Sequence, residues 1–213
     1  MTGESKPMRR LMDGVRHFQE KAYPERVELF QKLATGQDPH TLFIACADSR
    51  IVPELITQTQ PGELFVCRNI GNVVPAYGEM LGGVSAVIEF ACEALEVSDI
   101  VICGHSDCGA MRAMLNPDSD SLKRMPTVRS WLRNSEAARS VVAATQPDLA
   151  GDELVQALVE QNVRTQLAHL RTHPSVAGRL ATGRVRLHGW VYSIGAGTVL
   201  TMNEENGQMR PLD

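Results

Sequence analysis

Three short runs of the chain are almost wholly apolar: Leu42-Phe43-Ile44-Ala45-Cys46, Leu64-Phe65-Val66-Cys67 and Ile100-Val101-Ile102-Cys103. Runs of this length predict strands buried on both faces, and such strands belong to parallel sheets covered by helices. Elsewhere the apolar positions recur at helical spacing. Leu11, Val15 and Phe18, followed by Val27, Phe30, Leu33 and Ala34, predict two amphipathic helices broken near Pro24. Gly36-Gln37-Asp38-Pro39 ends the second one. Residues 81–95, 128–144 and 152–172 predict three further helices, and another is expected to begin after Ser106-Asp107. Residues 185–192 and 198–201 alternate as strands around the turn at Gly195-Ala196-Gly197. Strands alternating with helices define an α/β fold.

Composition narrows the function classes. The 213 residues are 43% apolar and 22% charged, ordinary values for a globular chain. A net charge of -4 without any basic run disfavours a nucleic-acid partner. The first residues lack the apolar core of a secretory signal, and the apolar runs are strand-sized, too short to span a membrane. A cytoplasmic protein is expected. The five cysteines are an odd number in no disulfide-framework spacing, which fits a reducing compartment.

In a doubly covered parallel sheet, ligands bind beyond the carboxyl ends of the strands. Two motifs fall there. Cys46-Ala47-Asp48-Ser49-Arg50 follows the first apolar run, and Gly104-His105-Ser106-Asp107-Cys108-Gly109 follows the third. If those strands are neighbours, Cys46 faces His105 and Cys108 across a crevice. His105 and Cys108 are three apart where a helix is expected to start, so one turn presents both on one side. The helix N-terminus also favours a thiolate at Cys108.

Two thiolates and an imidazole suit Zn2+. Three protein ligands leave a fourth tetrahedral position, as in catalytic zinc sites, where a bound water falls from a pKa near 16 to about 7. Asp48 lies within reach of the metal or its water. Arg50 points to the same side if the segment stays extended, and a bidentate contact would keep Asp48 ionised. Asp48 then has two open roles: accepting a hydrogen bond from the metal's water, or occupying the fourth position and closing the site. Arg50 decides between them. Cys67, Cys92 and Cys103 are expected in the core. His17, His40, His169 and His173 are expected to be solvated, and His188 to lie in the core or behind the ligands.

With these residues in hand, the chain resembles the β-carbonic anhydrases over nearly its whole length. The two motifs look like that family's signatures. The segment Pro61-Gly62-Glu63-Leu64-Phe65-Val66-Cys67-Arg68-Asn69-Ile70-Gly71-Asn72 resembles its second strand, and His188-Gly189-Trp190-Val191-Tyr192 its late strand. Within the family the likeness is to bacterial enzymes of cyanate operons and to cyanobacterial carboxysomal ones. The resemblance implies reversible hydration of carbon dioxide to bicarbonate by zinc-bound hydroxide, at a metal held by Cys46, His105 and Cys108 with Asp48 beside or on it. It implies a central four-stranded parallel sheet with an added antiparallel strand and helices on both faces. A helical N-terminal arm over residues 1–36 would precede a zinc domain over 37–213. The arm would embrace a partner in a homodimer, paired into a tetramer or larger, with active sites at the dimer interface.

The family has an open class, in which arginine holds the aspartate off the metal, and a closed class, in which the aspartate can shut the site. Gln37 matches a substrate-contacting glutamine of the open class. Phe43 stands where the closed class carries tryptophan, although Arg68 matches that class's arginine. The open class is expected. Phe65 matches a pocket phenylalanine, Phe90 stands where the open class has tyrosine, and Val73 completes the expected carbon dioxide pocket. Two rival readings are a carbonyl sulfide or carbon disulfide hydrolase on the same scaffold and a non-catalytic zinc scaffold. The second predicts four protein ligands and no exchangeable water.

Overall fold

The computed structural model describes residues 5–78, 82–203 and 207–212. The chain divides into two compact units, Met1–Asp38 and Pro39–Asp213. In the first, α1 (Lys6–His17) begins at Ser5, whose hydroxyl accepts from the Met8 amide. A π-helical turn, Phe18–Ala22, and a 3-10 turn, Pro24–Arg26, lead into α2 (Val27–Leu33). The break thus falls at Pro24, as the pattern predicts. Phe18, Tyr23 and Phe30 gather around it with ring centroids 5.3 to 6.0 Å apart.

The second unit runs β1 (Thr41–Cys46), α3 (Pro53–Thr57), β2 (Leu64–Asn69), α4 (Gly83–Glu93), β3 (Asp99–His105), α5 (Gly109–Met114) and α6 (Asp120–Lys123). It continues with α7 (Pro126–Leu132), α8 (Glu136–Thr145), α9 (Gly151–Leu170), α10 (Pro174–Ala181), β4 (Arg186–Ser193), β5 (Thr198–Met202) and β6 (Met209–Pro211). The strands form one six-stranded sheet in the order β2-β1-β3-β4-β5-β6. The first four are parallel, and β5 and β6 are added antiparallel. β1 is buried along its whole length. Its alternate residues serve two cores: Leu42 and Ile44 pack with Ile88 of α4 and Val163 of α9, whereas Phe43 and Ala45 face the layer that holds Ile56 of α3.

Helix α9 presses closely on the sheet, and two glycines make the approach possible. A Cβ at Gly189 would lie 2.9 Å from both Leu167 Cδ1 and Val163 Cγ1; one at Gly104 would lie 2.9 Å from Val163 Cγ2. Gly189→Ala is therefore expected to destabilise the chain by about 1–3 kcal/mol through overpacking. Urea unfolding measures this, and an unchanged midpoint would show that α9 yields freely.

The structure departs from the expected elements in several places. The expected helix over 128–144 is interrupted by a 3-10 turn at Arg133–Ser135, where Ser135 is fully buried and its Oγ lies 3.3 Å from Gln166 Nε2. The helix expected over 81–95 is Gly83–Glu93, and position 81 lies outside the described residues. A second antiparallel strand, β6, follows the one expected; it is three residues long and contains Pro211, too short for alternation to reveal it. His173, expected in solvent, is 2% exposed with Nε2 bonded to the Pro75 carbonyl, and His169 Nδ1 bonds the Val74 carbonyl. His188 meets Asp99 at 2.7 Å, near the amino end of β3 and away from the ligand motifs. No described helix is long and apolar enough to cross a membrane.

Candidate metal centre

The strand order places β1 beside β3 and sends the chain to opposite sides of that pair, which makes their carboxyl ends a topological switch point. Ala45 is registered with Cys103, so Cys46 and His105 leave the sheet side by side. The Sγ of Cys46, an imidazole nitrogen of His105 and the Sγ of Cys108 all lie within 4.8 Å of one another, and all three residues are buried. Cys108 is the N-cap of α5 and lies outside its first turn. It reaches His105 through the Ser106-Asp107 turn, with Asp107 at φ 52°, and not through the spacing of a single helix. The Ser106 hydroxyl accepts from the Ile194 amide and its own amide donates to Tyr192, tying this turn to the β4–β5 hairpin.

His105 is oriented by the Ser106 carbonyl, 2.9 Å from Nδ1. With the proton on Nδ1 donated there, Nε2 carries the lone pair. Nε2 is buried without a hydrogen-bond partner among the described residues, in the position a metal ligand needs. The two cysteines behave as one acid. Cys108 donates to Cys46, which brings the Cys46 thiol down to about 4 despite its burial, with help from His105 and the Gly71 and Asp48 amides. Cys108 is pushed far up, since its proton is the one shared with the Cys46 thiolate and it too is buried. Burial alone would lower His105, but the neighbouring Cys46 thiolate outweighs it and raises the imidazole. A buried, partly ionised sulfur pair beside an unused imidazole nitrogen is the donor set of a soft-to-borderline divalent cation. The three remaining cysteines are buried thiols, pushed up by desolvation, Cys103 to about 12.

Asp48 and Arg50 form the bidentate pair expected of them. Arg50 Nε donates to Asp48 Oδ1 at 2.9 Å, Nη2 donates to Oδ2 at 2.8 Å, and the Arg50 amide adds a third bond at 3.0 Å. These bonds hold Asp48 well below the usual carboxylate range. The Asp48 Oδ2 so held lies 3.9 Å from His105 Nε2. Arg50 also reaches Asp107 Oδ2 at 3.3 Å and its carbonyl at 3.2 Å. Arg68 donates to the Cys46 and Asp48 carbonyls at 3.1 and 2.6 Å, so its guanidinium is occupied in shaping the ligand loop.

The expected pocket residues are distributed differently. Val73 is fully buried, and both its amide and its carbonyl are held by the Asn69 side chain, at the end of β2 next to Cys46. Phe65 and Phe90 pack on each other with centroids 5.8 Å apart, but Phe65 is registered with Leu42, four residues or about 13 Å of strand from Cys46. Gln37 belongs to the first unit. One functional feature escaped the sequence reading. Asn162, Gln166, His169 and His173 form a polar stripe along and just past α9 that hydrogen-bonds the irregular segment 71–75. Its signal was polar residues at helical spacing within an otherwise buried helix.

The fold and this centre define an α/β metal-site protein with two sulfur ligands and one imidazole, a carboxylate poised beside them, and three protein donors where a tetrahedral ion takes four. The sequence pattern of the carbonic anhydrase family matches residues 41–199. The chain is 54% identical over 192 residues to a carbonic anhydrase of Pseudomonas aeruginosa, spanning 90% of this chain and 86% of that protein. It is 51% identical to carbonic anhydrase 1 of Escherichia coli O157:H7, spanning 96% and 92%. Its structure matches the β-carbonic anhydrase CcaA with a TM-score of 0.95 and 41% identity, spanning 98% of this chain and 93% of that one. A tetrameric β-carbonic anhydrase of Sordaria macrospora matches with a TM-score of 0.84 and 28% identity, spanning 97% and 100%. This chain belongs to the carbonic anhydrase family, in its β class. It is a lyase that catalyses the zinc-dependent, reversible hydration of carbon dioxide.

Proposed function

We propose that Cys46, His105 and Cys108 hold the catalytic Zn2+ and that the site works in the open form, with Asp48 off the metal. The observation that carries this reading is the buried triad, whose donor atoms lie within 4.8 Å of one another and whose His105 Nε2 is buried without a hydrogen-bond partner among the described residues. Zn2+ bound there supplies Lewis acidity, lowering the pKa of a water from about 16 to about 7. The chain's own residues do the rest. Asp48, ionised and locked by Arg50, accepts a hydrogen bond from the attacking oxygen and so directs a lone pair at the carbon of carbon dioxide. Arg68 keeps the Cys46–Asp48 backbone in the shape this requires. Val73, fully buried at the end of β2 beside Cys46, backs the site with apolar packing. Proton release to buffer and departure of bicarbonate complete the cycle.

Gln37, Phe65 and Phe90 are read as pocket residues contributed across a homodimer interface. The distance of Phe65 from Cys46 along the strand supports this, as does the tetrameric state of the Sordaria relative. In the same reading, residues 1–36 form the arm that embraces the partner, residues 37–213 form the zinc domain, and the protein acts in the cytoplasm. Light scattering is expected to give at least twice the mass of one chain; a monomer with full activity would remove the interface from the mechanism. The likeness to cyanate-operon enzymes belongs to this proposal too, and the neighbours of the gene test it.

The direct test measures zinc per chain together with stopped-flow hydration across pH, with carbonyl sulfide and carbon disulfide assayed alongside. One zinc per chain and turnover of carbon dioxide far above that of either sulfur compound is the expected result. Zinc without hydration at any pH would favour the scaffold reading, and preferential turnover of a sulfur substrate would favour the hydrolase.

A further inference from the structure

Arg50 serves a second anion besides Asp48. Its Nε and Nη2 hold the two Asp48 oxygens at 2.9 and 2.8 Å. Its Nη1 donates to Asp107 Oδ2 at 3.3 Å, and Nη2 also reaches the Asp107 carbonyl at 3.2 Å. Asp107 stands at φ 52° in the turn between His105 and Cys108, so the turn that gathers two ligands also delivers this carboxylate. One guanidinium carries one positive charge, and two carboxylates compete for it. A second arginine relieves that competition. Asp107 Oδ1 accepts from Arg112 Nη2 at 2.8 Å, and the same nitrogen donates to Asp152 Oδ1 at 2.8 Å. Arg112 belongs to α5, where its amide donates to the Cys108 carbonyl at 2.9 Å, and Asp152 lies in the first turn of α9. Side chains of alternating sign thus run outward from the metal centre: Asp48, Arg50, Asp107, Arg112 and Asp152.

We propose that Arg112 is a positioning residue for Arg50, acting through Asp107, and so helps to keep Asp48 in its working orientation. With Arg112 in place Asp107 has a cation of its own, and its bond to Arg50 is the long one, 3.3 Å against 2.8 and 2.9 Å to Asp48. Without Arg112, Asp107 keeps Arg50 as its counter-ion, draws the guanidinium over and loosens its hold on Asp48. Arg112 touches neither substrate nor metal, so it is not catalytic. Exposure bounds the effect. The Arg50, Asp107 and Arg112 side chains are 44, 58 and 48% exposed, and ion pairs this open to water are weak and screened by salt. Loss of Arg112 is therefore expected to slow hydration about two- to fivefold, well short of the loss of Arg50. Arg112 meets Asp107 through one nitrogen, so a lysine ammonium can stand in for it, whereas the two-armed hold of Arg50 on Asp48 has no such substitute.

The inference rests on the open reading of Asp48, and the experiment tells the two apart. The zinc-loaded full chain is compared as wild type, Arg112→Ala, Arg112→Lys, Arg50→Ala and the Arg50→Ala/Arg112→Ala double variant. Zinc content and stopped-flow hydration are measured at low and high salt. The Nε–H signal of Arg50, identified by its absence from Arg50→Ala, is followed by heteronuclear NMR. In Arg112→Ala the zinc content is expected to stay whole, the Arg50 signal to move, and the rate to fall about two- to fivefold at low salt and less at high salt. Arg112→Lys should regain most of that rate. The double variant should be no slower than Arg50→Ala, because Arg112 then has nothing left to position. A wild-type rate and an unmoved Arg50 signal in Arg112→Ala, with Arg50→Ala slow, overturn this inference alone. So does an equal fractional loss in both backgrounds that salt leaves unchanged, since that describes general support of the fold. A wild-type rate in Arg50→Ala overturns the open reading and this inference with it.

Discussion

A Cys46→Ala chain is expected to purify without zinc and to hydrate carbon dioxide no faster than the buffer does. Cys46 ends the fully buried β1, and its sulfur is the partner toward which both Cys108 and His105 are turned. Replacing it leaves one sulfur and one imidazole, too few donors for a tetrahedral zinc site. Enzymes accelerate their reactions by about 10^6-fold or more, and the part of that acceleration that depends on the metal goes with the ligand, so a fall of roughly three orders of magnitude or more is expected. His105→Ala is expected to behave alike. Cys103→Ala is the control: Cys103 is as buried as Cys46 but packs in the second core, away from the triad, so the variant should keep its zinc and lose about 1 kcal/mol of stability. Atomic absorption and stopped-flow kinetics measure both. Near-normal zinc in Cys46→Ala would mean that the ligand set is wrong.

The second large effect is expected at Arg50. Arg50→Ala removes both arms of the bidentate hold on Asp48, at 2.9 and 2.8 Å, and frees a carboxylate whose Oδ2 is 3.9 Å from His105 Nε2. Asp48 is then able to turn toward the metal position, so zinc content should be unchanged while hydration falls about 10–100-fold. Arg50→Lys should restore little, because an ammonium is a point charge and cannot make the parallel pair of bonds. The pH dependence has a definite sign. Asp48 is held below the usual carboxylate range and Arg50 stays charged, so the pair itself persists from mildly acid to alkaline solution. Loss of rate in Arg50→Ala should therefore be present throughout the neutral range. Unchanged hydration kinetics across pH would take Arg50 out of the mechanism.

Much of this site was legible in the sequence because of where the ligands stand. β1 and β3 are nearly pure apolar runs, and the motifs that follow them put two cysteines and a histidine where a parallel sheet binds its ligands; a cysteine ending an apolar run alone, such as Cys67 or Cys103, packs as core. Less legible was how Cys108 arrives, since only the backbone shows that Asp107 at φ 52° turns the chain and that α5 begins one residue later. His169 and His173, expected in solvent, turn inward together with Asn162 and Gln166 for a physical reason. Polar residues at helical spacing usually face water, but the irregular stretch 71–75 has amides and carbonyls that no strand or helix satisfies. These side chains turn inward to meet them. Short elements such as α3 and α10 escaped because each starts at a proline and runs for five to eight residues, too few for periodicity to register. The carbon dioxide pocket is drawn from family likeness, although the parallel runs themselves put Phe65 near the amino end of β2 and Cys46 at the carboxyl end of β1.

Zinc K-edge X-ray absorption on the full chain as purified probes the ligand shell most directly. Two sulfur scatterers at about 2.3 Å, one imidazole nitrogen near 2.0 Å and one further light atom are the expected shell. A shell of four sulfurs, or one built only from oxygen and nitrogen, would contradict it.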